Sequence, residues 1–290
     1  AMPEVLLATC AEFPDGDEDA EALVAALDRV DVKAEWAVWS DDQANWDSAL
    51  VVVRSTWDYP AHRRRFLDWV WSLDRVQNPA ELIDWSTDKV YLRDLAEAGV
   101  PVVPTTYAAP GEPVVLPASG DYVVKPSVGA GSRGVGRFAV DRQAAALAHA
   151  AQLHAAGRTV LVQPYLAEVA TAGETALIYF DGRFSHAIGK GAMLDAAQPH
   201  ALRGDALYVE ETIVARRPSA AELGVGELVL AALRNRFATD PLFVRVDLLP
   251  SADGPLAVEV ELIEPSLFLG YGLDDDDPAD ALAVAVAARI

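Results

Sequence analysis

Asp247, Glu259 and Glu261 are the residues whose types and spacing first suggest chemistry. Asp247 lies in a strand-like run from Phe243 to Leu249, and the two glutamates lie in the next, Leu256 to Ile263. Side chains of a strand alternate between faces, so Glu259 and Glu261 point one way, with Val258, Val260 and Leu262 on the other. The connection from Ser251 to Pro255 is short enough for an antiparallel hairpin that sets Asp247 opposite Glu259 and Arg245 opposite Glu261. Three carboxylates on one face repel one another unless a cation lies between them. Hard divalent ions, Mg²⁺ above all, take such oxygen ligands and share the rest of their shell with nucleotide phosphates. The competing reading is a solvated sheet face in an acidic protein, because alternation is common in antiparallel sheets.

Lys125 is the second candidate. It follows Tyr122, Val123 and Val124 in an apolar run, where a lysine is costly to bury unless its charge is paired, and phosphate is one such partner. The alternative is an edge-strand lysine reaching into solvent. Immediately after it, Gly129, Gly131 and Gly134 match the dinucleotide fingerprint G-x-G-x-x-G. That fingerprint must open a helix and be followed about 20 residues later by an acid. Here the following residues, Val135 to Val140, are strand-like, and His154 stands near the acid's place. A glycine turn between two antiparallel strands is instead a flap that brings backbone N–H groups to phosphates.

Around these residues the chain alternates strands and helices. Val5 to Thr9, Val32 to Trp39 and Ala49 to Val53 read as strands; Asp17 to Val30 and Arg63 to Leu73 read as helices. This predicts a small open lobe with parallel strands, ending near Asn78 and Pro79. All seven tryptophans fall in the first 85 residues. Thr87 or Asp88 is expected to cap a helix running to Glu97, stopped by Gly99 and Pro101. Further elements are expected at Asp121 to Lys125, Gly136 to Val140, Arg142 to Ala156 (a helix), Val160 to Pro164, and a hairpin of Leu177 to Phe180 with Arg183 to Ile188. Gly191 to Leu207 lacks periodicity and is long for a connector, which favours a functional lid. Pro218 to Phe237 is a helix, the carboxylate hairpin follows, and a last helix comes after Asp274 to Asp277. The chain divides into residues 1–78, a linking region 79–117, a small lid unit 118–165 and a catalytic unit 166–290.

Bulk properties narrow the function classes. A chain of 290 residues with 52% hydrophobic and 23% charged residues is globular. Its net charge of −21 argues against nucleic acid and against anionic membrane surfaces. No apolar run approaches the ~18 residues that cross a bilayer. The beginning, Ala1 to Glu4, has no basic region before an apolar stretch, so no secretory signal is expected. A lone Cys10 excludes an internal disulfide and a multi-cysteine zinc site, in keeping with a reducing cytoplasm.

Four features stand in order: Lys89 within Ser86 to Leu92, Lys125 before the glycine flap, the strand end from Val160 to Leu166, and the Asp247, Glu259, Glu261 hairpin. That order resembles the ATP-grasp superfamily, in its glutathione-synthetase and ribosomal-protein glutamate ligase branch. The segments Val53 to Tyr59, Asp88 to Leu92 and Gly99 to Thr105 are also similar to a bacterial subgroup that includes the cycloserine-forming ligase. The resemblance implies an α/β fold of the ATP-grasp kind: an N-terminal open parallel lobe, a small central lid and a C-terminal mixed-sheet catalytic lobe. It implies that Lys89 and Lys125 bind the α- and β-phosphates, and that the flap from Ser127 to Gly136, including Gly129, Gly131, Ser132 and Gly134, closes over the triphosphate. Gln163, Tyr165 and Leu166 would line adenine, and Glu174 would hold the ribose. Asp247, Glu259 and Glu261 would bind two Mg²⁺, for which Mn²⁺ can substitute; Glu261 stands where the family often has Asn. Where the branch carries an arginine after the ribose acid, this chain has Ala176, so its acceptor site should differ. Lys190 and Arg203 are the nearest cations for the γ-phosphate or a substrate carboxylate, with Arg245 beside the metal hairpin.

The expected activity is ATP- and Mg²⁺-dependent ligation, in which a small carboxylic or amino acid becomes an acyl phosphate that a nitrogen nucleophile attacks. Rivals are a catalytically silent ATP-binding module and, on the glycine match alone, a nicotinamide oxidoreductase. Arg54, Ser55, Thr56 and Asp58 follow a buried-looking strand at the end where α/β sheets bind ligands, and touch substrate unless Arg54 is held in a structural ion pair. Cys10 is expected to be a small buried side chain, and His149 and His154 are too far apart on their helix to share a metal. A homodimer is the commonest state for a soluble enzyme.

Overall fold

The computed structural model describes residues 2–130, 133–191, 212–274 and 276–290. The N-terminal lobe is β1 (Val5–Thr9), α1 (Ala20–Arg29), β2 (Ala34–Val38), β3 (Leu50–Ser55), α2 (Arg63–Ser72) and β4 (Val76–Gln77). Its four strands are parallel in the order β2-β1-β3-β4. The uninterrupted apolar runs of β1 and β3 suit central strands covered on both faces.

Two short helices follow: α3 (Ala80–Ser86), which was not expected, and α4 (Tyr91–Glu97), which is the expected helix begun a few residues after Asp88. The Lys89 N–H donates to the Ser127 carbonyl, and Asp88 Oδ1 accepts from the Val90 N–H, so the turn between the helices is tied to the flap strand. Gly99, at φ 88°, ends α4 as expected.

The third unit is an antiparallel sheet of order β5-β8-β6-β7, built from β5 (Thr106–Ala108), β6 (Tyr122–Pro126), β7 (Gly136–Phe138) and β8 (Val160–Pro164), with α5 (Gln143–Ala155) on one face. β5, from the segment read as linking, pairs with β8. The glycine segment joins β6 to its antiparallel neighbour β7 and opens no helix, which removes the nicotinamide reading.

The C-terminal unit contains the short α6 (Val169–Ala172), β9 (Glu174–Phe180), β10 (Arg183–Lys190), β11 (Ile213–Ala215), α7 (Ala220–Phe237), β12 (Phe243–Leu249), β13 (Leu256–Glu261) and α8 (Pro278–Ala287). Its sheet runs β11-β10-β9-β12-β13, antiparallel throughout. α7 starts on a capping box of Ser219 and Glu222. The expected lid, Gly191 to Leu207, lies outside the described residues beyond Gly191, as does Arg203.

Asn78 ties the lobes together. Its side chain, fully buried, donates to the Phe243 and Leu262 carbonyls (2.9 and 2.8 Å) and accepts from the Leu242 N–H (2.6 Å). Among the described residues no helix is long and apolar enough to cross a membrane.

Candidate active site

The β12–β13 hairpin has the register expected from the sequence, with Asp247 opposite Glu259 and Arg245 opposite Glu261. Carboxylate oxygens of Asp247, Glu259 and Glu261 lie within 4.8 Å of one another. One detail differs. The register shifts after Asp247, so that Leu248 meets Ala257 and Val258 becomes the extra residue of a bulge, half-buried where the alternation places it in the core. A bulge re-aims the side chains beside it. The hard oxygen donors, gathered on one face at this spacing, fit Mg²⁺.

Cations surround the trio. Arg245 donates from Nε to Asp247 Oδ1 (2.8 Å) and from Nη2 to Asp247 Oδ2 (2.9 Å), and its Nη2 is 2.9 Å from Glu261 Oε1. Lys190 Nζ is 2.8 Å from Glu174 Oε1 and 2.9 Å from Asp247 Oδ2. Lys89 Nζ is 2.8 Å from both Glu259 Oε1 and the Gly129 carbonyl, joining the metal hairpin to the flap. Burial alone would raise the Asp247 carboxyl, but Arg245 and Lys190 reverse that and hold it well below the usual range. Glu259 is likewise lowered by Lys89 and Lys125 against its burial. Glu261 goes the other way: burial, with Glu259 and Asp247 beside it, pushes it up to about 7 despite Arg245.

Lys125 differs from these. It is 7% exposed and, among the described residues, makes no ion pair or side-chain hydrogen bond. Burial lowers its pKa to about 8, with Lys89 adding repulsion and Glu259 opposing both. A desolvated ammonium beside a glycine flap is a ready seat for an anion.

The flap is anchored from behind. Ser127 is buried; its N–H donates to the Thr159 carbonyl and its own carbonyl accepts from Lys89. His149, which the sequence marks only as a poor metal ligand, meets the Gly134 carbonyl through Nε2 at 2.7 Å. Gly131 and Ser132 lie outside the described residues. Gly173 has φ 69°, and a side chain there would run into the Lys190 carbonyl, so this glycine lets β9 begin with Glu174 against Lys190.

At the end of β8, the Gln163 side chain is buried and donates to Thr105 Oγ1 (2.9 Å), so it is directed inward. Tyr165 lies beneath the Arg137 guanidinium, 3.5 Å from the ring centre, and Leu166 is half-buried next to it.

The expected substrate residues of the N-terminal lobe take other roles. Arg54 is 1% exposed, lies 3.4 Å from Asp17 Oδ2, donates to the Pro265 carbonyl (3.0 Å) and stacks over Phe243. Ser55 Oγ is 2.8 Å from Thr9 Oγ1, and Asp58 accepts from Trp39 Nε1 at 2.7 Å. The Thr56 hydroxyl is sealed and unpartnered. Arg54 thus has the ion pair weighed against a substrate contact, while its Nε and Nη1, like the Thr56 hydroxyl, are buried without a partner among the described residues. Cys10 is fully buried, as expected. Tyr59 and Glu264, neither assigned a role from sequence, feel the charges of Glu259 and Glu261. The signal for Glu264 was faint: it breaks the two-residue alternation of Glu259 and Glu261.

Comparison with known proteins gives the family. Residues 5–81 match a family described as the N-terminal domain of D-cycloserine synthetase DcsG. Over 292 aligned residues the chain is 37% identical to the cycloserine biosynthesis protein DcsG of Streptomyces lavendulae, covering 94% of each. The crystal structure of D-cycloserine synthetase DcsG superposes with a TM-score of 0.87 at 35% identity, covering 98% of this chain and 99% of that one. D-alanine–D-alanine ligase from Bacillus anthracis shares the fold at a TM-score of 0.64 and 14% identity, covering 100% and 97%. The chain belongs to the DcsG family and is an ATP-dependent ligase of the ATP-grasp fold.

Proposed function

We propose that this enzyme uses ATP to activate the carboxylate of a small carboxylic or amino acid as an acyl phosphate, which a nitrogen nucleophile then attacks. Similarity to a cycloserine biosynthesis protein favours a nucleophile within the same molecule, giving a ring. The observation that carries the reading is Lys125: a buried ammonium without an ion-pair partner among the described residues, between a glycine flap and a three-carboxylate cluster.

Lys125 and Lys89 take the triphosphate, with the flap N–H groups above it. Asp247, Glu259 and Glu261 hold Mg²⁺, in our reading two ions replaceable by Mn²⁺, which supply charge neutralisation of the phosphates. Arg245 and Lys190 keep the carboxylates aimed and add positive charge where the phosphoryl group transfers. Glu174 at the head of β9 holds the ribose, and the backbone of Gln163, Tyr165 and Leu166 lines adenine. No protein nucleophile is needed, because positioning and charge suffice. The reading places the enzyme in the cytoplasm.

The test is incubation with ATP, Mg²⁺ and pooled amino acids, following ADP and phosphate. Release that depends on particular acids is expected, with mass spectrometry identifying a product one water lighter than its precursors. Tight ATP binding without turnover across a broad panel would defeat the proposal.

A further inference from the structure

The chain leaves β13 through residues 264–269, and side chains from separate elements grip this backbone in turn. Trp57 Nε1 donates to the Glu264 carbonyl (2.9 Å), Arg54 to that of Pro265 (3.0 Å) and Arg245 Nη1 to that of Ser266 (3.1 Å). His186 Nε2 meets the Leu267 carbonyl at 2.8 Å, and the Leu269 N–H donates to Asp19 Oδ1 (3.0 Å). Trp57, Arg54 and Asp19 hold the two ends of this loop from the N-terminal lobe. Arg245 and His186 hold its middle from the C-terminal sheet.

Those two stand in one row. His186 lies opposite Ile178, Ile178 opposite Arg245, and Arg245 opposite Glu261, across β10, β9, β12 and β13. Residues directly opposite in a sheet share a face. The loop lies over that face, where Leu267 and Phe268 pack with Ile178 in one buried cluster. Arg245 is held by the residues on either side of Leu267: the Ser266 carbonyl, and the Phe268 ring, whose centre is 5.7 Å from the guanidinium carbon. Phe268 has φ 52°, a left-handed backbone that is costly for a bulky residue and persists only where its surroundings enforce it. The carbonyl just before it is the one His186 takes.

His186 is 4% exposed. Burial lowers its pKa, against the Leu267 and Phe268 backbone, so the ring is neutral. A carbonyl oxygen only accepts, so Nε2 carries the proton and Nδ1 accepts from Ser185 Oγ (2.9 Å).

We propose that His186 is a positioning residue for the carboxylate cluster. Through Leu267 it keeps Ser266 and Phe268 against Arg245, and so keeps the guanidinium aimed at Asp247 (2.8 and 2.9 Å) and Glu261 (2.9 Å). Outer partners of this kind fix the orientation of the groups that hold a metal. The proposal rests on the reading of the trio as a Mg²⁺ cluster. It adds a residue two strands from Arg245 that itself touches no carboxylate of the trio.

The test compares His186→Asn with His186→Gln. Both are neutral amides, but only the longer one extends as far as the imidazole Nε2 and can still donate to Leu267. One readout, independent of turnover, is the thermal shift as Mg²⁺ is titrated with a non-hydrolysable ATP analogue. The other is the half-saturating Mg²⁺ concentration for ADP release, with the acid that the pooled assay selects. His186→Asn is expected to raise half-saturating Mg²⁺ roughly tenfold in both, and His186→Gln to stay near the wild type. In an Arg245→Lys background His186→Asn is expected to add little, because its effect runs through Arg245. A wild-type Mg²⁺ response in His186→Asn, equal losses in the two amides, or full additivity with Arg245→Lys overturns the positioning role and leaves the Mg²⁺ cluster standing. No thermal response of the wild type to Mg²⁺ overturns both. Should His186→Asn fail to fold, His186→Leu, which fills the site without a donor, takes its place in the same comparison.

Discussion

The Lys89 ammonium lies 2.8 Å from Glu259 Oε1, so a residue from the turn between α3 and α4 meets a carboxylate of the clustered trio on β13. Lys89 is also 2.8 Å from the Gly129 carbonyl. One ammonium therefore connects the cluster to the flap. On the proposed reading of Glu259 as a Mg²⁺ ligand, Glu259→Gln removes that ligand and weakens this connection together. Turnover should fall roughly 10²-fold or more, and the Mg²⁺ concentration needed for half-maximal rate should rise. A Mg²⁺ titration of ADP release checks both; a wild-type titration curve would exclude Glu259 as a ligand.

Lys125 predicts a trade of stability against activity. Its folded pKa, about 8, is below the unfolded lysine value near 10.4. Between these values the unfolded chain binds the proton and the folded protein does not, so stability rises with pH across the window. Below about 8 both states are charged, and the burial cost is fully present. Lys125→Met should therefore raise stability by about 1–3 kcal/mol at pH 7, lose that advantage as the pH approaches 10, and abolish turnover. Urea unfolding at pH 7 and pH 9.5, with an ATP-dependent assay, gives the answer.

In the wild type the same lysine should govern ATP affinity. An anion is held by the protonated amine, so KM for ATP should increase as pH rises through about 8 in protein not saturated with nucleotide. Saturating ATP should move the change to higher pH, because bound phosphate favours the charged form. A flat KM profile from pH 7 to 9.5 would remove Lys125 from the phosphate site.

Asn78→Ala should be severe without touching the chemistry. It leaves two carbonyls and one N–H, of Phe243, Leu262 and Leu242, buried without their partner. Each such group costs about 1–3 kcal/mol, so a total of roughly 3 kcal/mol or more is expected. The urea midpoint should fall, while kcat per folded molecule is retained.

His149→Ala should loosen the flap, since its ring bonds the Gly134 carbonyl from α5. KM for ATP should rise roughly five- to tenfold with kcat changed less. Steady-state kinetics against ATP separates this from a general loss of fold, which would lower the active fraction at constant KM.

Much of the site was legible in one dimension because it rests on local rules. Strand alternation places Glu259 and Glu261 on one face, and hairpin closure puts Asp247 opposite Glu259. The strand after the glycines excludes a dinucleotide fold, and the apolar neighbours of Lys125 mark a charge that needs an anion. The preceding helix α3 was not legible, and neither was the bond from the Lys89 N–H to the Ser127 carbonyl, which joins segments 38 residues apart that local propensity cannot relate. Val258 leaves the core for the same kind of reason: a bulge depends on how two strands register.

By itself, then, the order of residues placed oxygen donors suited to a hard cation on one hairpin face, and a lysine suited to phosphate beside a glycine turn. Which polar side chains remain available was decided only by the folded chain. Folding gave Arg54 the Asp17 carboxylate and the Pro265 carbonyl and gave Asp58 the Trp39 indole, while Arg54 Nε and Nη1 stay buried without a partner among the described residues. A polar group's availability depends on every donor and acceptor brought within about 3 Å of it, and most of those come from distant parts of the chain.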